Sequence, residues 1–364
     1  MPKKSIKKTT QKVKKSTQKE EKFGKGLTDR PDDPKDTRDF RAEEVANFAP
    51  AVWVEKKPED FATYPIKDQN GSSSCVAQSF AKQLEVDELT ENGNYRILSP
   101  RSIYPFGFLE PSGGMNIRAA AKLVNKNGAT LEVLLPSYPN DEASMRNAAD
   151  YKTDAKQIAL VYKSDSVVFC NTDFETIASI LQSFQQQGKK KVLGIAVMGW
   201  NNGTWLSQYP QPLVQGQPWY HKCVATDFGL INGKKFISID NSWGEVAGLK
   251  GKQFLGLDYQ QYIYSVDYTL NLPDNWRDNA QIMPKPKYHW DVRLMIGSTG
   301  PDVLALQQAL QYLGMFPISS VISPTGSFYG ITRKAVLLFQ SSFKLPETGE
   351  ADSLTREKLN ELFA

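Results

Sequence analysis

A polar, proline-rich stretch at residues 271–288, with Pro284-Lys285-Pro286 inside it, interrupts the chain and separates its main body from a distinct unit of about 75 residues. With 364 residues the chain is long enough for two or three folding units, and this break argues for two. Behind it, Val303, Leu306, Leu310 and Leu313 recur at helical spacing between Pro301 and Gly314, an N1 proline and a stop glycine. Thr325-Gly326 then stands to Thr332 as Thr348-Gly349 stands to Thr355, so the small unit repeats a Thr-Gly-x5-Thr step that leads each time into a helix. The expected divisions are a basic tail and Pro/Asp-rich strap at 1–48, a main domain at 49–270, a linker at 271–289 and a small helical domain at 290–364.

The net charge of +4 is a sum of unlike parts. Ten lysines against Glu20 and Glu21 give residues 1–25 a charge of +8, which leaves −4 for the rest. A Lys/Thr/Ser/Gln arm without apolar periodicity reads as a solvated tail, not as a specific nucleic-acid site. Ile6, Val13 and Phe23 stand alone among polar neighbours, so no signal peptide of the usual kind is visible. The longest apolar stretch, Val192 to Trp200, falls short of the roughly 20 residues that cross a bilayer. Cys75, Cys170 and Cys223 are too few, and odd in number, for a disulfide framework. His221 and His289 are the only imidazoles, and no Cys-x-x-Cys or His-x-x-x-His spacing offers a zinc site. A soluble monomer with neither metal nor cofactor is expected.

In the main domain, helical patterns dominate to about residue 150 and strands from 155 to 270. Amphipathic helices are expected from Cys75 to Asn92-Gly93, from Asn116 to Gly128 and from Asp173 to Gly188. Strands are expected at Gln157–Tyr162, Lys191–Met198, Cys223–Leu230 and Lys235–Asp240, with Asn232-Gly233 turning the last two into a hairpin.

Cys75 opens its helix behind three good capping residues, Ser72, Ser73 and Ser74. A helix N-terminus and a neighbouring imidazolium lower a thiol pKa from about 8.5 to roughly 3.5–7.5, the range of a working nucleophile. Gln69, six residues upstream, can add a carboxamide donor to the Cys75 N–H around an oxyanion. His221 begins one strand of the hairpin and Asn241 ends the other, and their meeting depends on register. A two-residue turn pairs Ile231 with Lys234 and puts Asn241 on the opposite face of the pleat from His221. A three-residue loop, or a bulge, returns it to the histidine's side.

These residues carry a resemblance. Pro65-Ile66-Lys67-Asp68-Gln69 through Cys75 resembles the nucleophile region of papain-like cysteine peptidases, and Asn241-Ser242-Trp243-Gly244-Glu245 resembles their Asn-Ser-Trp-Gly motif. His221 lies 146 residues beyond Cys75, within the family's separation of about 130 to 150. Leu98-Ser99-Pro100 and Ser112-Gly113-Gly114 extend the match, which covers about residues 49–268. The resemblance implies an α+β, two-lobed peptidase fold. Cys75 would be nucleophile, His221 base, Asn241 its orienter and Gln69 an oxyanion donor. Gly113 and Gly114 would hold substrate backbone, Met115 would wall the pocket for the substrate's second residue, and Trp243 would shield the His221–Asn241 bond. The family pattern Cys-Gly-[Ser/Ala]-Cys-[Trp/Tyr] reads Ser72-Ser73-Ser74-Cys75-Val76 here, so the first disulfide partner is missing and a less constrained nucleophile loop is expected. In place of a long propeptide, Asp29–Arg41 is expected to lie across or near the cleft as a short strap.

The run Gly297 to Val303, with Leu306-Gln307 and Leu313-Gly314, then Phe328, Thr332, Phe339-Gln340 and Gly349-Glu350-Ala351-Asp352, resembles the all-α, three-helix peptidoglycan-binding domain. The implied function is a thiol endopeptidase held at the bacterial wall, with peptide or protein substrates and peptidoglycan as partners. A phage-type lysin acting on wall peptides, and a non-catalytic wall-binding or structural protein with a degenerate protease body, are the competing readings.

Overall fold

The computed structural model describes residues 26–33, 36, 39–271, 284–317 and 322–364. The basic tail and most of the 271–289 linker lie outside the described residues. The chain divides into two compact units, one holding residues 26–33, 49–164 and 171–269, the other 34–48, 165–170 and 270–364.

In the first unit, α1 (Cys75–Asn92), α2 (Ile117–Asn127) and α3 (Phe174–Gln186) are the long helices. The strands β1 (Leu193–Gly199), β2 (Trp219–Ile231), β3 (Lys234–Asp240), β4 (Lys252–Gly256) and β5 (Ile263–Leu270) lie side by side in the order β5-β1-β2-β3-β4. The β1-β2, β1-β5, β2-β3 and β3-β4 pairs are antiparallel. Helix α2 starts on Asn116, whose side chain accepts from the Ala119 N–H, and stops at Gly128. Helix α3 is capped by Asp173 in the same way, through the Thr176 N–H. Both caps satisfy amide groups that a helix start otherwise leaves unpaired.

Helix α1 departs from the expected amphipathic pattern. It is buried on nearly every side through Asp87, and Gln78, Lys82, Gln83, Glu85 and Asp87 are buried with the apolar residues. Charges survive there because each meets a partner: Glu85 pairs Lys67 at 2.6 Å, Asp87 pairs Lys191 at 2.5 Å, and Lys82 lies 3.8 Å from Asp240. The expected strand at Gln157–Tyr162 is instead a short helix, Thr153–Ala159, followed by turns. Its Ala155 and Ala159, four residues apart on one helical face, pack with Leu135 and Tyr151, and that packing favours a helix here.

The second unit contains α4 (Pro301–Tyr312), α5 (Gly330–Ser342) and α6 (Ser353–Phe363). Its sequence repeat has a hydrogen-bonding cause. Gln307 on α4 accepts from the N–H groups of Thr325 and Gly326 and donates to Thr332 Oγ1. Gln340 on α5 accepts from the Gly349 N–H and donates to Thr348 Oγ1 and Thr355 Oγ1. Each Thr-Gly-x5-Thr step is therefore the loop that a buried glutamine on the preceding helix reads.

Residues of the expected strap complete this unit. Phe40–Arg41 pairs in parallel with Ser166–Cys170, and Ser323 donates to the Val45 carbonyl. Helix α5 has no side-chain cap of its own. Glu44 supplies one from 285 or more residues away, accepting from the N–H groups of Tyr329 at 2.9 Å, Ile331 at 2.7 Å and Thr332 at 2.5 Å. Glu44 is fully buried, and burial pushes its carboxyl up to about 7 against the pull of those donors.

Candidate active site

The hairpin register decides the site. Asn232 (φ 52°) and Gly233 (φ 73°) form the two-residue turn, so Ile231 faces Lys234. That pairing holds as far as Asp227↔Ser238, after which Ala225 faces Ile239 and Val224 faces Asp240. Thr226 is thus the extra residue of a β-bulge, and of the two expected ways to bring Asn241 round, the bulge is the one realised. Carried one step further, the shifted register sets Asn241 opposite Cys223, on the pleat face that Cys223 shares with His221.

Asn241 Oδ1 lies 2.9 Å from His221 Nε2. The proton positions follow from the neighbours. Gln253 Nε2 donates to the carbonyls of Trp205 and Ser207, which leaves its Oε1 to accept from Asn241 Nδ2 at 2.8 Å. Asn241 Oδ1 also takes the Ser242 N–H at 2.7 Å, so it is the acceptor and Nε2 carries the proton. Nδ1 is then the basic nitrogen of the ring. Trp243 packs against the imidazole at 4.9 Å between ring centroids, inside a cluster with Trp205, Trp219 and Tyr259. Gln253, Trp205 and Trp219 carried no motif, and only their placement reveals their part.

Cys75 begins α1, which packs against β2, where Ser79 Oγ donates to the Cys223 carbonyl. The backbone N–H groups of Lys222, the residue after His221, of Gly26 and of Val76 favour the ionised form of the thiol, against its burial. None of the three serines caps the helix through its side chain. Ser74 holds the N-cap position, and its hydroxyl pairs instead with Ser72 Oγ and Gln78 Nε2. Gln69 is buried, taking a bond from Ser242 Oγ at 2.5 Å and giving one to the Ser72 carbonyl at 2.7 Å. Cys170 and Cys223 are buried, and among the described residues no disulfide forms.

The loop before Cys75 is tied down by hydrogen bonds, with no disulfide among the described residues. Glu142 accepts from the Ser73 N–H at 2.6 Å and from Tyr104 Oη at 2.7 Å, while Tyr104 Oη accepts from the Gly114 N–H at 2.9 Å. One carboxylate therefore braces the loop before Cys75 against the paired glycines, and the expected looseness is absent. These bonds, with the Arg146 guanidinium, hold the Glu142 carboxyl below the usual carboxylate range although burial opposes them.

The groove between these groups holds the chain's own residues 26–30. Gly26 passes so close to the Ser73 carbonyl that a Cβ there would sit 1.7 Å from the oxygen. Its carbonyl accepts from the Met115 N–H at 2.7 Å, Leu27 bridges Met115 in parallel, and the Thr28 N–H reaches the Met115 carbonyl at 3.3 Å. Gly114 faces the Gly26 carbonyl, which would lie 2.5 Å from an added Cβ, and Gly113 also has a positive φ. Met115 meets the strap through its main chain, whereas its methyl sits beside Gly107. Asp29 caps α2, and the Arg30 guanidinium lies 4.1 Å over the Tyr220 ring. With the groove filled, Cys75 and His221 are fully buried, and burial pushes the Cys75 thiol up to about 11.

Comparison with known proteins agrees with this architecture. The structure is similar to xylellain, a cysteine protease from Xylella fastidiosa, with a TM-score of 0.54 and 20% identity over 70% of this chain and 98% of that one. Procathepsin B S9 from Trypanosoma congolense gives a TM-score of 0.50 at 14% identity, over 70% of this chain and 88% of that one. In sequence the chain is 25% identical over 209 residues to cysteine proteinase 3 of Dictyostelium discoideum, covering 55% of this chain and 56% of the relative, so it spans little more than half that protein's length. A family model described as a putative peptidoglycan binding domain matches residues 299–359. The fold is thus that of the papain-like cysteine proteases, with a C-terminal helical region of the peptidoglycan-binding type. Among the described residues no helix is long and apolar enough to cross a membrane.

Proposed function

We propose that this chain is a cysteine endopeptidase that blocks its own cleft with residues 26–30 and is held at bacterial peptidoglycan by its C-terminal unit. The Cys75 sulfur attacks a peptide carbonyl as its proton passes to His221 Nδ1, and the oxyanion is held by the Cys75 N–H with the Gln69 carboxamide. His221 then gives that proton to the leaving amine. Water, deprotonated by the same nitrogen, cleaves the thioester and returns the thiol. Asn241, fixed by Gln253, keeps Nε2 protonated and Nδ1 basic through the cycle. The observation that carries the reading is the His221–Asn241 bond with its tautomer set by Gln253, on the strand against which the helix begun by Cys75 packs.

With residues 26–30 in the groove the thiol has no solvent access and burial disfavours its ionised form, so the strapped chain should be inert and opening the groove should restore reactivity. A peptidyl epoxide tests this. Cys75 is expected to alkylate at least tenfold faster in Gly26→Ala, whose new Cβ expels the strap, than in the unaltered chain. Cys75→Ala should abolish the adduct, and an adduct mapped to Cys170 or Cys223 would overturn the assignment. The wall anchor rests on the family match at 299–359, and tethering there raises local enzyme concentration with no new catalytic contact. Pull-down of the full chain on purified sacculi tests it, and failure to sediment removes that half of the proposal.

A further inference from the structure

We infer that the cleft contains a carboxylate-binding subsite at the start of α2, occupied here by Asp29 and open to acidic peptides when residues 26–30 leave. The inference rests on the peptidase reading and adds a substrate class to it. Asp29 is 6% exposed, and both its oxygens are engaged: Oδ2 accepts from the Ile117 N–H at 2.8 Å and Oδ1 from Asn116 Nδ2 at 2.7 Å. Asn116 Oδ1 is committed to the Ala119 N–H, which turns Nδ2 toward the ligand before any ligand arrives. Burial raises the Asp29 carboxyl above its usual value, and the Ile117 N–H with the charges of Lys222 and Arg118 pulls the other way; no acidic residue lies in the first turn of α2 to add repulsion. A buried carboxylate persists only where donors and positive charge of this kind offset its lost hydration.

The site reads a peptide, not a lone ion. The main chain of Met115 pairs with Gly26 and Thr28, and Tyr264 Oη donates to the Asp29 carbonyl at 3.2 Å. Asp29 lies three residues from Gly26, which passes beneath the Ser73 carbonyl just before Cys75, so the subsite recognises an acidic group about 10 Å along an extended backbone from that point. A side-chain carboxylate and a free C-terminal carboxylate share this chemistry, and the test separates them.

Two measurements on the full chain test the subsite, neither depending on catalysis. In Asp29→Asn, amide exchange across residues 26–30 is expected to rise at least tenfold. In Gly26→Ala/Asp29→Asn, acetyl-Leu-Thr-Asp-amide is expected to bind at least tenfold more tightly than acetyl-Leu-Thr-Asn-amide by calorimetry, and acetyl-Leu-Thr-Ala with a free carboxyl terminus is compared with its amide. Preference in either pair supports the subsite and names its source. Adding Asn116→Asp keeps the helix cap, removes the donor and should erase the preference. Unchanged exchange, equal binding within both pairs, or a preference that survives Asn116→Asp overturns the inference. Acid-selective binding without hydrolysis or epoxide labelling would instead overturn the peptidase reading and leave the subsite standing.

Discussion

The N-terminal segment places two carboxylates on two helix starts, Asp29 on α2 and Glu44 on α5, and the two are held differently. Helix α2 already has Asn116 as a cap, so Asp29 adds to a finished end and can leave it finished. Helix α5 has none, and three of its amide groups turn to Glu44. Burial raises both carboxyls; an N–H donor and the charges of Lys222 and Arg118 oppose it at Asp29, whereas at Glu44 hydrogen-bond donors alone do. A guest carboxylate and a structural one can thus come from one short stretch of chain. What separates them is whether the receiving helix is complete alone.

The largest test is Glu44→Ala, which strands three N–H groups in a buried site and should cost about 3 kcal/mol or more, read as thermal unfolding of the second unit. A loss below about 1 kcal/mol would break the distinction. Next comes pH. The Glu44 carboxyl is raised to about 7 in the folded state, so the folded chain holds its proton where the unfolded chain releases it. Stability is full below the ordinary glutamate pKa and falls as pH rises through about 7, by at most about 3 kcal/mol. Glu44→Gln should flatten that slope in a melting series.

Glu142 sharpens the contrast from within the first unit, because its carboxylate braces the nucleophile loop as Glu44 completes α5. Glu142→Gln should cost about 1–2 kcal/mol and lower the Cys75 alkylation rate in the Gly26→Ala background. Its folded pKa lies below the usual range, so this contribution is present above that range and disappears as pH falls through the depressed value. The smallest effect belongs to Asp29→Ala. It should change global stability by less than about 1 kcal/mol while the Asn116–Ala119 cap stays protected from amide exchange. A larger loss would make Asp29 a structural part after all.

Much of the fold was legible where a local rule acts. Asn232-Gly233 announced its turn, Gly128 its helix stop, and the Thr-Gly-x5-Thr repeat its two helices. The arithmetic of the hairpin required an irregularity between His221 and Asn241, and Thr226 provides it. What escaped acts at a distance. Nothing near Glu44 in sequence signals a helix 285 residues away, and Asp29 meets Ile117 across 88. The strap was expected from Asp29 to Arg41, yet the residues in the groove are 26–30, because only Gly26 fits beneath the Ser73 carbonyl. Gln253 was invisible for a related reason: it is one amide among many until its neighbours fix which end donates.

The bulge at Thr226 carries a consequence for how chains of this kind diverge. Deleting that one residue would alter no functional group and leave the Asn232-Gly233 turn untouched, yet it would rotate the carboxamide of residue 241 out of the imidazole's reach. On the mechanism proposed above, activity is vulnerable to a change in chain length as well as to a change in chemistry. A homologue with every expected side chain in order, but one codon shorter between the histidine and the turn, would be a silent enzyme with an intact signature.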